Sequence, residues 1–253
     1  MTRQVLVTGA TGTLGSQVVP AASAAGHQVR ALSRRDRAAG SGVRWFRGDL
    51  LEGTGIEDAV QGVDVVVHCA TQSTRDKDVA SMRNLVAAAR MGEVGHIVGV
   101  SIVGIDRIPL PYYQTKLRVE QVLEASGVGH TVLRATQFHD LIRTTFTLQR
   151  FSPVLWTVRG VRFQPIDTRD VAARLVELID ADPAGRAPDI GGPEVLTHAE
   201  LGRLYLAARG SRRSVIQVPV PGRTVAGIRS GANLVPNNAV GKVGFGDYLK
   251  TAQ

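Results

Sequence analysis

The chain has 253 residues, of which 43% are hydrophobic, and a formal net charge of +8. This composition excludes a disordered chain, and the length suits one large α/β domain or two small ones. No apolar stretch approaches the roughly 18 residues of a membrane helix, and the single cysteine, Cys69, cannot form an internal disulfide.

The positive charge is carried mostly by arginine scattered along the chain. Only four basic residues are lysine, and no aromatic RNA-binding motif or recognition helix accompanies the short clusters at Arg34, Arg35 and Arg37 and at Arg212 and Arg213. The first predicted strand begins too near the N-terminus for a leader peptide to precede it. We therefore expect a soluble cytoplasmic protein that binds neither nucleic acid directly nor a membrane.

Strand-like and helix-like segments alternate over the first 150 residues. Such alternation is typical of a parallel sheet covered by helices on both faces, so we predict an α/β fold with a Rossmann-type, doubly wound parallel sheet. The strands are predicted near 4–8, 28–33, 43–46, 63–69, 96–101 and 130–135. The helices are predicted near 13–25, 54–61, 78–91, 111–126 and 138–149.

Prolines interrupt shorter elements after residue 150. We predict a core at 1–150 and a small C-terminal substrate-binding lobe at 151–253, packed on the core as one compact unit. Two helices stand out in this lobe. Asp170 is the predicted N-cap of the first, and Thr197 with Glu200 forms the predicted capping box of the second.

The first predicted strand leads directly into three glycines, Gly9, Gly12 and Gly15. Glycines at this position allow a sharp turn and a close approach of the backbone to a pyrophosphate, which the N–H groups at the start of the next helix then bind. The pattern therefore predicts a dinucleotide site. The cofactor residues expected in this loop are Gly9, Thr11, Gly12, Thr13, Leu14 and Gly15.

The second predicted strand ends in Ser33-Arg34-Arg35, where an NAD-selecting enzyme usually has an acidic residue. Arginine binds a 2′-phosphate with two hydrogen bonds and stacks on adenine, so Arg34 or Arg35 favours NADP(H). Asp36 is the competing acid, which we interpret as a solvated loop residue. Asp49 follows the third strand, where it either reaches the adenine amino group or serves as a turn residue.

Tyr112 and Lys116 lie four residues apart near the start of a predicted amphipathic helix. The spacing puts them on one helical face, where an ammonium stabilises phenolate over phenol and so favours acid/base chemistry. Tyr113 competes for the same role. The helix follows the fifth strand, so its start is expected near the nicotinamide end of a cofactor laid across the sheet.

Together these motifs resemble the short-chain dehydrogenase/reductase family, in its extended or atypical type. Three further segments, 101–106, 133–138 and 190–194, are similar to the NmrA-like, NAD(P)H-binding members. The resemblance implies that Tyr112 is the acid that protonates a substrate oxygen and that Lys116 binds the cofactor ribose. It also implies cofactor contacts at Ser33, Leu50, Ala70, Thr71 and Thr136.

Two further catalytic positions are implied by the resemblance. Asp78 stands where the family has an active-site Asn, and it serves either as a proton relay or as a helix N-cap. Ser101 is the candidate for the family's serine, although a bond at the end of the strand is the alternative, and Val103 lies nearer the usual position.

The resulting hypothesis is an NADP(H)-dependent oxidoreductase that reduces a carbonyl or an activated double bond of a small-molecule substrate. Two alternatives remain: a non-catalytic NADP(H) sensor of the NmrA-like kind, and an NAD(P)-dependent epimerase or dehydratase. No metal is expected, because the histidines lack metal-ligand spacing. The chain is expected to be a monomer or a homodimer.

Overall fold

The computed structural model of the protein describes residues 1–37, 42–71 and 75–251. The strands are β1 (Gln4–Thr8), β2 (Gln28–Ser33), β3 (Arg44–Arg47), β4 (Val65–His68), β5 (His96–Ile102), β6 (His130–Ala135), β7 (Leu155–Val158), β8 (Arg162–Phe163), β9 (Gly185–Arg186), β10 (Leu196–Thr197) and β11 (Val215–Val218). The α-helices are α1 (Gly15–Ala24), α2 (Ile56–Val60), α3 (Arg75–Met91), α4 (Pro111–Glu124), α5 (His139–Thr147), α6 (Thr168–Asp180), α7 (His198–Ala208), α8 (Arg223–Arg229) and α9 (Phe245–Thr251), with a 3₁₀ turn at Pro236–Asn238.

The chain divides into two compact units that are each discontinuous in sequence. The first unit comprises Met1–Ser101, Gln114–Leu133 and Val171–Pro188, and the second comprises Ile102–Tyr113, Arg134–Asp170 and Asp189–Gln253. This division is interleaved, whereas the boundary predicted from the sequence is a single one after residue 150. The chain passes between the units within β5, α4, β6 and α6, and again between Pro188 and Asp189.

The first unit is built on a parallel sheet with the order β3-β2-β1-β4-β5-β6-β9. Strand β1 pairs in parallel with β2 on one side and with β4 on the other, and Thr8 lies opposite His68 in the second pair. The chain therefore reverses its direction of winding between β1 and β4, which is where open α/β sheets bind their ligands. The Rossmann-type sheet predicted from the sequence is confirmed.

The core of the first unit follows from its apolar strands. Strand β4 is buried at every position, as a parallel strand covered on both faces requires. Apolar residues of α2, α3 and α4, including Ile56, Leu85 and Leu123, pack with Leu6 of β1 into one cluster. The glycine turn and the end of β4 are thus supported by a continuous hydrophobic core.

The second unit contains two small sheets and an aromatic core. Strand β11 pairs in parallel with β7, and β10 pairs antiparallel with β8. The helices α5, α7 and α9 enclose four aromatic residues that pack together, Phe146, Tyr205, Phe245 and Tyr248.

Within the described residues, no helix is both long and apolar enough to cross a membrane.

One predicted helix cap is confirmed and one is wrong. The capping box of α7 is present, because Thr197 accepts from the Glu200 backbone N–H and the Glu200 carboxylate accepts from the Thr197 N–H. Asp170 is not the N-cap of α6, which begins at Thr168. Asp167 caps its start instead by accepting from the Arg169 backbone N–H at 2.8 Å, and Asp170 accepts from the backbone N–H of Lys242.

Candidate functional site

The glycine turn after β1 packs tightly against its own backbone and against the backbone of Ala70. Gly9 has φ +65°, and a Cβ there would lie 2.6 Å from the backbone of Ala70. A Cβ on Gly15 would overlap the carbonyl of Gly9. Gly12 donates its backbone N–H to the Gly9 carbonyl at 2.9 Å. Two of the three glycines are therefore required by close backbone approach, as the sequence motif indicates.

The start of α1 offers hydrogen-bond donors to a ligand. Thr11, Gly12 and Thr13 are exposed. In the described part of the chain, the backbone N–H groups of Thr13 and Leu14 donate to no protein acceptor. Free N–H groups at the positive end of a helix bind phosphate. These residues therefore fit the pyrophosphate of a dinucleotide.

Both candidate arginines at the end of β2 are exposed. The buried Ser33 hydroxyl accepts from the backbone N–H of Arg35 at 3.2 Å, which fixes the turn that presents them. Asp36 is exposed and pairs with Arg47 at 3.1 Å. The competing acid is thus engaged in a surface ion pair, in agreement with its interpretation as a solvated loop residue.

Asp49 holds a turn after β3. Its carboxylate accepts from the backbone N–H of Leu51 at 2.8 Å, and its backbone forms an antiparallel bridge with Thr54. Asn84 of α3 braces the same loop by donating to the carbonyls of Leu50 and Leu51. The turn role of Asp49 is therefore visible, while a contact with adenine stays a prediction.

The structure brings Lys116 and Asp78 together in the first unit. The Lys116 Nζ lies 3.7 Å from the Asp78 Oδ2, and both side chains are buried. Thr71 also donates its hydroxyl to Asp78 Oδ2 at 3.1 Å. A buried ammonium needs a compensating carboxylate, so Asp78 both neutralises and orients Lys116. Asp78 is not an N-cap, because α3 begins at Arg75, and its role as a proton relay stays a prediction.

Ser101 lies within β5 and not beyond it. Its side chain is buried, and its hydroxyl has no hydrogen-bond partner among the described residues. Ser101 lines a small cavity together with His68, Lys116 and Glu120. The hydroxyl thus shares the polar environment of Lys116, although its catalytic role stays a prediction.

The end of β4 carries two groups whose protonation is fixed by burial. Burial, with a smaller effect of the Lys116 charge, lowers the pKa of His68 to about 3. Burial raises the pKa of the Cys69 thiol to about 12, against the opposing effect of Lys116. At neutral pH the imidazole is therefore uncharged and the thiol protonated. His68 serves as a packing residue, bonded to the Thr8 hydroxyl at 2.8 Å.

The two candidate tyrosines differ in exposure. Tyr113 is 9% exposed, whereas Tyr112 is 41% exposed. Burial raises the pKa of Tyr113, and its hydrogen bond with the Gln137 side chain opposes this effect. Tyr113 thus belongs to the interior of the second unit, which makes Tyr112 the better candidate for contact with a ligand.

Thr136 is buried, and its hydroxyl is engaged by the protein backbone. The hydroxyl donates to the carbonyl of Gln164 and accepts from the N–H of Gly192. These bonds connect the end of β6 to two loops of the second unit. A direct contact of Thr136 with the cofactor stays a prediction.

Sequence reasoning missed Glu120, which is 5% exposed and lines the cavity beside Lys116. The available signal was the spacing Tyr112, Lys116, Glu120, which repeats every four residues on one helix.

The described residues contain no group of three or more His, Cys, Asp or Glu side chains placed to hold a metal ion.

The glycine turn, the switch point and the buried lysine define a dinucleotide-binding protein of the Rossmann type. The model of the NAD(P)H-binding family matches residues 9–182. The chain belongs to this family.

Two curated relatives and one solved structure illustrate the range of similar proteins. The chain is 30% identical over 203 residues to a (4-alkanoyl-5-oxo-2,5-dihydrofuran-3-yl)methyl phosphate reductase from Streptomyces griseus, covering 78% of this chain and 70% of the relative. It is 26% identical over 230 residues to a photosystem II assembly factor from Trieres chinensis, covering 85% and 72%. An NADPH-dependent quinone oxidoreductase from Escherichia coli, complexed with NADPH, has a similar fold, with TM-score 0.85, 18% identity, and coverage of 98% and 99%.

Proposed function

We propose that the protein is an NADP(H)-dependent reductase of the atypical short-chain dehydrogenase/reductase type, acting on a carbonyl or activated double bond of a small molecule. The observation that carries the proposal is the buried Lys116–Asp78 pair at 3.7 Å. Both residues lie in the same unit as the glycine turn, Asp78 on α3 and Lys116 on α4. The exposed Tyr112 is also a residue of α4. The reductase from Streptomyces griseus, at 30% identity, supports it.

The chain's own residues account for binding and orientation. The N–H groups of Thr13 and Leu14 would bind the pyrophosphate, and Arg34 or Arg35 would bind the 2′-phosphate that distinguishes NADP(H) from NAD(H). A bound nicotinamide would supply the hydride. Lys116, held by Asp78, would bond the ribose. Tyr112 would donate its proton to the substrate oxygen.

The test is turnover of NADPH with a panel of quinones, aldehydes and activated alkenes. We expect oxidation of NADPH with at least one class and a loss of about 10²-fold to 10⁴-fold in kcat for Tyr112→Phe. Tyr113→Phe is the matched control, because it removes a buried hydroxyl from the adjacent position and should retain most activity. Equal activity in both variants would exclude Tyr112 as the acid.

One alternative is a sensor that binds NADP(H) without turning it over. A relative named for assembly and not for a reaction, the photosystem II assembly factor from Trieres chinensis, is the reason to test it. In that case the protein binds NADPH, no substrate class is reduced, and Tyr112→Phe leaves NADPH affinity unchanged. A third outcome, conversion of a nucleotide sugar without net loss of NADPH, would indicate an epimerase or dehydratase.

Replacing Arg34 and Arg35 with Ala tests the choice of cofactor separately, since it should weaken the binding of NADPH much more than the binding of NADH.

A further inference from the structure

The second unit exposes apolar side chains around the segment that joins α5 to β7. Phe151 is 87% exposed, Leu148 is 73% exposed and Trp156 is 47% exposed. Leu141 and Ile216 are also exposed. We call these five residues the apolar surface. Single exposed apolar residues are ordinary, but a group of large ones marks an interaction site.

Hydrogen bonds, strand register and helical spacing relate members of the apolar surface to one another. The Gln149 side chain accepts from the backbone N–H of Trp156 at 2.9 Å and donates to its carbonyl at 3.2 Å, so the segment end is fixed against β7. Trp156 lies directly opposite Ile216 in the β7–β11 pair. Leu141 and Leu148 are seven residues apart along α5 and its C-cap, which places them on the same helical face.

The surroundings of the apolar surface are basic. The segments 141–156 and 209–218 contain five arginines and neither Asp nor Glu, and the adjacent Asp140 pairs with one of these arginines, Arg143, at 4.0 Å. The Arg150 guanidinium lies 4.4 Å from the centre of the Phe151 ring. Arg213 donates to the carbonyls of Gln149 and Ser152 at 2.8 and 3.1 Å, which adds a positive charge at the base of the segment.

We propose that the apolar surface binds peripherally to an anionic lipid bilayer, with Leu148 and Phe151 inserted below the headgroups and the arginines on the lipid phosphates. Side chains that are exposed to this degree project outward, and a soft apolar phase accepts them without a matching pocket. Trp at the edge of such a patch suits the interface between headgroups and acyl chains. Arginines beside it attract anionic headgroups.

Charge argues against a second copy of the chain as the occupant. A two-fold contact would place the same arginines opposite one another with no acidic residue from these segments between them. The expectation that no membrane is a partner rested on the lack of a spanning segment, and peripheral binding requires none. The proposal is independent of the reductase activity.

The test is co-sedimentation of the full chain with vesicles of phosphatidylcholine, with and without phosphatidylglycerol. We expect binding only to vesicles that contain phosphatidylglycerol, and weakening as salt is raised. Because the chain has two tryptophans, a Trp45→Phe background isolates Trp156, whose emission should shift to the blue on binding.

Variants separate insertion from charge. Leu148→Ser with Phe151→Ser should weaken vesicle binding at least about tenfold, whereas Met91→Ser, which changes an exposed apolar residue of the first unit, should not. Arg150→Glu with Arg212→Glu should also weaken binding. The matched control is Arg83→Glu with Arg90→Glu, which reverses two exposed charges of the first unit. Absence of binding at low salt, or binding equal in all variants, would overturn the proposal. So would a lipid-free dimer that dissociates on Phe151→Ser, because it would identify a second copy as the occupant.

Discussion

The glycine turn after β1 and the polar cluster around Lys116 belong to the same unit but depend on different parts of the chain. The glycine turn is made of backbone, and its geometry requires the absence of side chains at Gly9 and Gly15. The cluster is made of side chains from distant positions, with Asp78 and Lys116 meeting at 3.7 Å. The first kind of site is encoded by local spacing, whereas the second depends on tertiary packing.

The largest effect on stability is expected from a substitution in the glycine turn. Gly9→Ala adds a Cβ at positive φ and 2.6 Å from the backbone of Ala70, so the β1–β4 edge must shift. We expect a loss of about 4 kcal/mol in unfolding free energy and at least a tenfold loss of NADPH affinity, measured by denaturant unfolding and by cofactor fluorescence.

Gly26→Ala is the matched control, because Gly26 has φ +89° and a Cβ added there would meet nothing within 4 Å. It should cost about 1 kcal/mol through backbone conformation alone. If the two variants were equally stable, close approach to Ala70 would not be what requires glycine at position 9.

The next effect tests the cluster built from side chains. Asp78→Ala removes the carboxylate that lies 3.7 Å from the buried Lys116 ammonium, so we expect a loss of about 3 kcal/mol in the cofactor-free protein. Asp76→Ala breaks the pair with Arg118, which is 3.2 Å long but exposed, and should change stability by at most about 1 kcal/mol. Thermal and denaturant unfolding measure both. Equal losses would mean that burial contributes nothing to the Lys116–Asp78 pair.

This contrast explains which features the sequence could predict. The β1 strand, the glycine turn and the order of the elements follow from local periodicity and spacing, and β1, β2 and β6 have the predicted bounds. The start of α6 was placed wrongly at Asp170, because Asp167 satisfies the same capping preference three residues earlier. Local sequence cannot choose between two suitable caps when tertiary contacts engage one of them.

The pairings that the sequence could not predict are non-local. Nothing near Asp78 indicates that α4 will place Lys116 beside it, and nothing near Leu155 indicates that β7 will pair with Val215. Glu120 was visible only as a helical repeat, whose burial depends on the packing of α4 against the sheet. The role of a side chain was therefore harder to predict than the path of the backbone.

His68 bonds to Thr8, just before the glycine turn, and also lines the cavity beside Lys116. Its burial makes the stability of the protein depend on pH. Burial lowers the pKa of His68 from 6.5 to about 3. As the pH falls, the imidazole is therefore protonated near pH 6.5 in the unfolded chain but only near pH 3 in the folded chain. The folded state therefore loses stability as the pH falls from 6.5 toward 3. At pH 4.5 the loss due to His68 is about 2 to 3 kcal/mol.

His68→Asn should flatten this part of the stability curve, measured by urea unfolding between pH 7 and pH 4. Thr8→Val removes the hydroxyl bonded to His68 but keeps the buried imidazole, so its curve should retain the slope of the unmodified protein. Parallel curves for His68→Asn and the unmodified protein would show that burial of this imidazole is not the cause of the loss of stability at low pH.

The smallest effect distinguishes the two interpretations of Asp49. Asp49→Ala removes the acceptor for the Leu51 N–H and should cost about 1 kcal/mol in unfolding free energy. Asp49→Asn keeps an oxygen in the same place, so it should be nearly as stable as the unmodified protein. If Asp49 serves only the turn, Asp49→Asn also leaves NADPH affinity unchanged. If its carboxylate accepts from the adenine amino group, Asp49→Asn weakens NADPH binding while the fold stays intact. The second outcome would make a side chain, and not the backbone alone, responsible for part of the cofactor site.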